Sequence, residues 1–316
     1  MPVKIAGESL NACSGCEISL LDMGENFLKL LEVVQIVHLP LLMDSKHIEN
    51  LQNAQVLELP KADIGLVSGS IKTRENLQLA LAMRESCDFI IGMGTCATHG
   101  GIPALANSYT NEQIMTCCFK TDNTDETDRF PTELVPGLLE SCHALDEKIK
   151  VDFYLPGCPP HPDHLFNLIC ALEKGEDYVL PEKSVCDNCS AQREGIGEVT
   201  NLKRPLKLPD WKDSQDLENP DQFKCFIEQG FLCMGPVTRD GCGGDKDLAR
   251  CITAGMPCRG CYGPIQHQGN QKLGILNALS SNGIDIGSLP EMVSLLRFSG
   301  GHGRLRPISL KSRKHK

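Results

Sequence analysis

The sequence predicts an α/β protein: a parallel-sheet domain over residues 1–180, joined to an irregular, cysteine-rich domain over residues 181–316. Three observations predict it. Strand-like and helix-like patterns alternate up to about residue 175 at intervals that suit successive strand, helix, strand units, and a parallel sheet is the economical reading of that alternation. Three of the strands run out into loops that contain cysteine. Around Glu176 the texture changes, and from there to about Phe223 the chain is polar, rich in Asp, Asn, Lys and Pro, with little periodicity.

The elements follow in order. Val3 to Ala6 is a short opening strand whose loop runs into Asn11-Ala12-Cys13-Ser14-Gly15-Cys16-Glu17, followed by an amphipathic stretch from Ile18 to Leu31. Val33 to Leu39 reads as the next strand, and Ala62 to Ser68 as another, ending in Ser-Gly-Ser. Apolar residues at helical spacing from Thr73 to Cys87 predict a helix. Thr73 is its expected cap, because a threonine hydroxyl there satisfies a backbone N–H that has no partner inside the helix. Phe89 to Met93 is a strand that breaks at Gly92-Met93-Gly94-Thr95-Cys96. Val151 to Leu155 leads to Pro156-Gly157-Cys158-Pro159-Pro160 and a helix from about Pro162 to Lys174. Ligands of open parallel sheets bind where the carboxyl ends of the strands meet, so cysteines far apart in sequence can converge there.

A chain of 316 residues buries a substantial core unaided, so its 17 cysteines are not needed as covalent staples, and an odd number pairs badly. No amino-terminal apolar run preceded by basic residues is present, and no window reaches the roughly eighteen apolar residues that a membrane span needs. The expected setting is the reducing cytoplasm, where cysteines at short fixed spacings are metal ligands rather than disulfide partners. A formal charge of -10, with four tyrosines and one tryptophan for stacking on bases, argues against a nucleic-acid partner.

Eight cysteines lie in the second domain: Cys186, Cys189, Cys225, Cys233, Cys242, Cys251, Cys258 and Cys261. They are interleaved with glycine and proline, a segment expected to bury too little apolar surface to fold by packing alone, so bound metal supplies much of its folding energy. By count, two tetrahedral zinc sites and two 4Fe-4S clusters fit equally, since both take four thiolates. Zinc ribbons take two Cys-x-x-Cys knuckles. Here Cys186-x-x-Cys189 and Cys258-x-x-Cys261 stand at opposite ends with single cysteines between them, which suits a cubane cluster receiving thiolates singly from loops. A structural zinc protein that holds loops for partner binding is the alternative. In the first domain Cys13, Cys16, Cys96 and Cys158 make a third set of four. The neighbouring glycines let backbone amides approach the sulfurs, and the proline after Cys158 fixes the direction of the chain.

Cys13-Ser14-Gly15-Cys16-Glu17 after a short strand, Gly94-Thr95-Cys96-Ala97 followed by Gly100-Gly101, and Pro156-Gly157-Cys158-Pro159-Pro160 look like the three proximal-cluster motifs of nickel-iron hydrogenase small subunits and their relatives in complex I. The resemblance covers roughly residues 1–265. It implies a flavodoxin-like first domain, a ferredoxin-like second domain and three 4Fe-4S clusters: proximal on Cys13, Cys16, Cys96 and Cys158, medial on Cys242, Cys251, Cys258 and Cys261, distal on Cys186, Cys189, Cys225 and Cys233. Interleaving leaves open an exchange of Cys233 and Cys242 between the last two. Two departures narrow the subgroup: Cys186 stands where many respiratory hydrogenases use histidine, and Cys251 offers a fourth medial thiolate where theirs is often missing. The pattern is similar to cytoplasmic group 3 enzymes, above all the small (gamma) subunit of the methyl-viologen-reducing type that supplies electrons to heterodisulfide reductase. Deazaflavin- and NAD(P)-linked hydrogenases are the alternatives. Complex I is disfavoured, since its equivalent subunit has adjacent cysteines in the first motif and lacks the other two clusters. The chain lacks the paired Cys-x-x-Cys motifs by which large subunits hold nickel and iron, so the resemblance implies a large-subunit partner that splits hydrogen and no catalytic residue on this chain. Downstream it implies an acceptor such as a 2Fe-2S protein and heterodisulfide reductase.

Simpler readings stand beside these. Cys87, Cys142 and Cys170 fall in or beside helical patterns and read as small core hydrophobes, and the Cys117-Cys118 pair lies in the wrong loop to ligate. His161 and His164, one turn apart near a helix start, read as capping or surface residues, and His99 as a hydrogen-bond partner rather than a ligand. Glu17 is an ordinary first-turn glutamate favoured by the helix dipole or, beside a cluster-binding loop at a subunit face, a proton relay. Gly92-x-Gly94 has alanine where a dinucleotide fingerprint needs its third glycine. The basic end from Arg304 reads as a mobile tail, with Lys311 to Lys316 a solvated run.

Overall fold

The computed structural model of the chain describes residues 2–44, 59–121, 130–195, 199–203, 223–246, 248–266, 269–288 and 296–298. The basic end lies outside them. They divide into two compact units, one running up to Tyr178 and the other starting at Val179.

The first unit is built on five parallel strands: β1 (Val3–Ser9), β2 (Val34–His38), β3 (Ala62–Ser68), β5 (Cys87–Met93) and β7 (Phe153–Leu155). They lie in the order β2-β1-β3-β5-β7. Counting parallel strands only, this is the flavodoxin order, in which the chain reverses its direction of build between β1 and β3. β1, β3 and β5 are buried along most of their length, on both alternating faces, as strands covered on both sides are. Ile5, Leu66, Val67, Ile90 and Ile91 are all buried.

Register then fixes where the loops begin. Ser9 pairs with Ser68, Ser68 with Met93 and Met93 with Leu155, so four strands end in one row. The cysteine loops after β1, β5 and β7 leave from that row.

Helices cover the strands: α3 (Arg74–Ser86), with Thr73 accepting the Asn76 N–H in a reciprocal capping box, and α6 (Pro162–Lys174). The Ile18–Leu31 stretch is two helices, α1 (Gly15–Leu21) and α2 (Glu25–Val33), parted at Gly24, whose φ of 57° no helix interior adopts. The chain after β5 is a short helix, α4 (Gly94–His99). The strand expected from Val151 begins only at Phe153; at Asp152 the backbone N–H donates to the Ile90 carbonyl, while the side-chain carboxylate rather than a backbone carbonyl accepts the Ile90 N–H, both at 2.9 Å. Two further elements, β4 (Ile71–Thr73) and β6 (Leu138–His143), form a separate antiparallel pair, and α5 (Asn111–Phe119) precedes β6.

The second unit has little regular structure: short 3-10 turns, α7 (Arg250–Thr253) and α8 (Gln271–Ser281). It is nevertheless not without a core. Phe226, Ile227, Phe231 and Met234 pack with Ile275 and Leu279 of α8, and Cys233 and Cys258 belong to the same cluster. The apolar surface missing between the cysteines is supplied partly from beyond them. Among the described residues no helix is long and apolar enough to cross a membrane.

Candidate functional site

Three loops build the first site. After β1 the chain turns at Ser14, which adopts a left-handed φ of 62°, and enters α1, so Cys13 precedes the turn and Cys16 falls in the first helical turn. Cys96 falls in the first turn of α4, and Cys158 lies in the loop after β7. The loops are interlocked. Thr95 N–H donates to the Gly157 carbonyl at 2.8 Å, Gly157 N–H donates back to Thr95 Oγ1 at 3.1 Å, and the Ser19 hydroxyl of α1 donates to the Pro160 carbonyl at 2.6 Å.

Cys13, Cys16, Cys96 and Cys158 therefore share one neighbourhood, in which each thiolate would feel the others. Burial, followed by the charges of Glu17 and the other three cysteines, pushes the Cys16 thiol far above its ordinary value. Burial and then Cys158 and Cys13 push Cys96 up to about 12. Thiols raised in this way stay protonated unless a cation joins them. The glycines leave room for the sulfurs: a Cβ on Gly94 would lie 2.2 Å from Cys16 Sγ, and one on Gly101 would lie 3.0 Å from Cys96 Sγ. Among the described residues no three Cys, His, Asp or Glu side chains gather tightly enough to hold a single ion. Zinc draws its sulfurs to about 2.3 Å from one centre, whereas a four-iron cluster spreads its thiolates over separate irons.

Glu17 is 1% exposed and points inward from α1 rather than toward solvent. The Ser68 hydroxyl at the end of β3 donates to its Oε1, while its Oε2 is buried without a partner. His99 Nδ1 lies 2.7 Å from Thr98 Oγ1. His161 caps α6 by accepting the Asp163 N–H, but His164 is a buried residue 2.7 Å from the Tyr178 hydroxyl, not a surface one.

In the second unit Cys186, Cys189, Cys225 and Cys233 line one cavity of about 140 Å³, together with Phe226 and Glu228. Burial pushes Cys186 up to about 11 and Cys233 up to about 12, the latter against the Gly235 and Cys258 N–H groups. The Cys258 N–H donates to Cys233 Sγ at 3.3 Å, and a Cβ on Gly235 would meet Cys186 Sγ at 3.0 Å. Cys242 is pushed up by burial and by Cys251, and Cys258 by burial and by Cys233, Cys261 and Cys251. Cys233 thus lines the cavity with Cys186, Cys189 and Cys225, and its sulfur also accepts the Cys258 N–H.

All 17 cysteines are free of disulfides. Cys87 and Cys142 are buried, Cys170 is half-buried on α6, and Cys117 and Cys118 are exposed on α5. Sequence reasoning takes Cys142 for simple packing, whereas its sulfur lies 3.2 Å from the Ser70 hydroxyl.

Residues 13–172, from the first cysteine into α6, match the family model described as NADH ubiquinone oxidoreductase, 20 Kd subunit. The chain is 36% identical to a subunit of the F420-non-reducing hydrogenase vhu of Methanocaldococcus jannaschii over 95% of both chains. Among solved structures it is similar to a chain of an NAD+-reducing [NiFe]-hydrogenase, with 31% identity and a TM-score of 0.52 over 57% of this chain and 96% of that one. It shares its fold with a chain of the Ni-Fe-Se hydrogenase from Desulfomicrobium baculatum, at 19% identity and a TM-score of 0.50 over 84% of this chain and 95% of that one.

Proposed function

This chain belongs to the family of nickel-iron hydrogenase small subunits, and from that premise we propose that it is the electron-carrying subunit of such an oxidoreductase, holding three 4Fe-4S clusters. The observation that carries the reading is the convergence of Cys13, Cys16, Cys96 and Cys158 at the row of strand ends, with glycines where a side chain would strike the sulfurs. We assign the proximal cluster to that set, the distal one to Cys186, Cys189, Cys225 and Cys233, and the medial one to Cys242, Cys251, Cys258 and Cys261. The domains are 1–180 and 181–316. When bound, the clusters accept and pass on single electrons, and the protein tunes each potential by charge, hydrogen bonds and burial.

The large subunit of the enzyme carries hydrogen splitting. Its docking face on this chain lies beside the proximal set, where Cys13 and Cys158 are exposed and α1 and α2 leave Ile18, Leu21, Leu28 and Leu31 exposed. An apolar face of this kind, beside half-open metal ligands, is completed by a partner. Glu17, buried behind that face with Ser68 donating to one oxygen and the other unpartnered, is the candidate proton relay. The downstream acceptor is a redox protein in the cytoplasm, such as a 2Fe-2S protein leading to heterodisulfide reductase, rather than the deazaflavin coenzyme F420.

The test is anaerobic co-purification with the large subunit. A brown complex with about twelve irons and twelve labile sulfides per small subunit, bleached by hydrogen and inactive toward F420, is the expected result. A colourless zinc-containing chain overturns the reading.

A further inference from the structure

Lys72 is the middle residue of β4 and is 7% exposed. Its Nζ donates to Asn111 Oδ1 at 2.7 Å, to the Leu139 carbonyl at 3.0 Å and to the Glu140 carbonyl at 3.4 Å. Three acceptors and no donor match the three hydrogens of an ammonium. All three acceptors are neutral, and among the described residues no carboxylate forms an ion pair with Lys72. A buried cation with only neutral partners is costly, and a negative charge nearby offsets that cost.

The strand places such a charge within reach. Two residues before Lys72, Ser70 exchanges backbone hydrogen bonds of 3.1 Å with Asn11, which is two residues before Cys13. The Ser70 hydroxyl is 3.2 Å from Cys142 Sγ on β6, and burial lowers the Lys72 pKa while Cys142 acts to raise it. β4 thus starts beside the loop that carries Cys13, with Cys142 across from it on β6.

We propose that Lys72 is a buried counter-cation for the cluster held by Cys13, Cys16, Cys96 and Cys158, and that it raises the potential of that cluster. The inference rests on the function proposed above. Four thiolates leave a 4Fe-4S cluster net negative, and reduction adds one more negative charge, so a fixed cation favours the reduced form. Glu17, buried beside Cys16, acts in the opposite sense. Lys72 offsets it from the β4 side, so that the first cluster in line receives electrons from hydrogen rather than returning them.

The experiment is a redox titration of the assembled complex, followed by electron paramagnetic resonance of the proximal cluster. Lys72→Met should lower the midpoint, cutting the reduced-to-oxidised ratio at a fixed potential by about threefold or more, while Lys72→Arg keeps it near wild type. Asn111→Asp gives the ammonium a carboxylate partner at the first position of α5, where an acidic residue also suits the helix dipole. It should lower the midpoint without emptying the core, and it decides the matter alone should Lys72→Met fail to assemble. The second-unit clusters serve as internal controls with unchanged midpoints. A proximal midpoint that ignores these variants overturns the inference alone. A wild-type chain with no cluster on this set overturns the functional reading and the inference together.

Discussion

Gly94 is the position where the proximal site tolerates least change. Replacing it by alanine places a Cβ 2.2 Å from Cys16 Sγ, whereas real Cβ atoms essentially never come nearer than 3.0 Å to another heavy atom. The φ of +83° adds about 1–2 kcal/mol for any residue with a Cβ. α4 cannot simply retreat, because Thr95 is tied to Gly157 by two hydrogen bonds. Cys16 must move, which would take its thiolate away from the cluster proposed there. Gly175→Ala is the matched control in the same unit: its φ is +70°, yet nothing lies within 4 Å of the added carbon. Gly175→Ala should lose about 1–2 kcal/mol of stability, and Gly94→Ala more, because the clash with Cys16 comes on top of the same backbone cost. Only Gly94→Ala should lose a cluster, with iron in the anaerobically purified complex falling from about twelve to about eight per chain. Full iron in Gly94→Ala, with an unchanged proximal signal, would refute the placing of Cys16 as a ligand.

Two further outcomes are expected. Cys251 is the second residue of α7, where proline is tolerated, so Cys251→Pro should leave three thiolates and a 3Fe-4S signal in the oxidised protein; an unchanged spectrum means that Cys251 does not ligate. Burial pushes the Asp152 carboxyl up, but Lys150, the Ile90 N–H and Arg84 outweigh it and hold it below the usual carboxylate range. Its folded pKa is thus below its unfolded one, so its stabilisation is present above about pH 3.9 and is lost as pH falls through the folded value. Asp152→Asn should be less stable than wild type at neutral pH, with the gap closing in acid, as read by denaturant titrations across pH; a gap independent of pH contradicts the assignment.

The row of strand ends is legible in the sequence because strands buried on both faces read as Ile, Val and Leu runs, and glycine and cysteine mark where they stop. α6 is legible at both ends, since Pro162 starts it and Gly175 follows it. The β4–β6 pair is not: Ile71–Thr73 is too short to show a period, and its partner begins at Leu138. Without that pairing Lys72 reads as an ordinary surface lysine and Cys142 as packing. α5 carries a signal that could have found it, the Thr110-x-x-Gln113 capping box, whose two reciprocal bonds form. The break at Gly24 is hidden because the apolar period runs on through it. In the second unit the cysteine spacing identifies the ligand candidates, but the grouping of Cys233 depends on the fold around Phe226 and Gly235, which no periodicity announces.

The central claim is that electrons enter this chain at the set after β1, β5 and β7 and leave it at the cavity set of the second unit. Cys189→Ala in an assembled complex with its large subunit tests it directly, with hydrogen–deuterium exchange and hydrogen-driven reduction of the natural acceptor measured on the same sample. Exchange at the large subunit should survive, since it needs no electron to leave the complex, and reduction of the acceptor should be lost. Reduction at the wild-type rate by an assembled complex that lacks the Cys189 cluster would contradict the account.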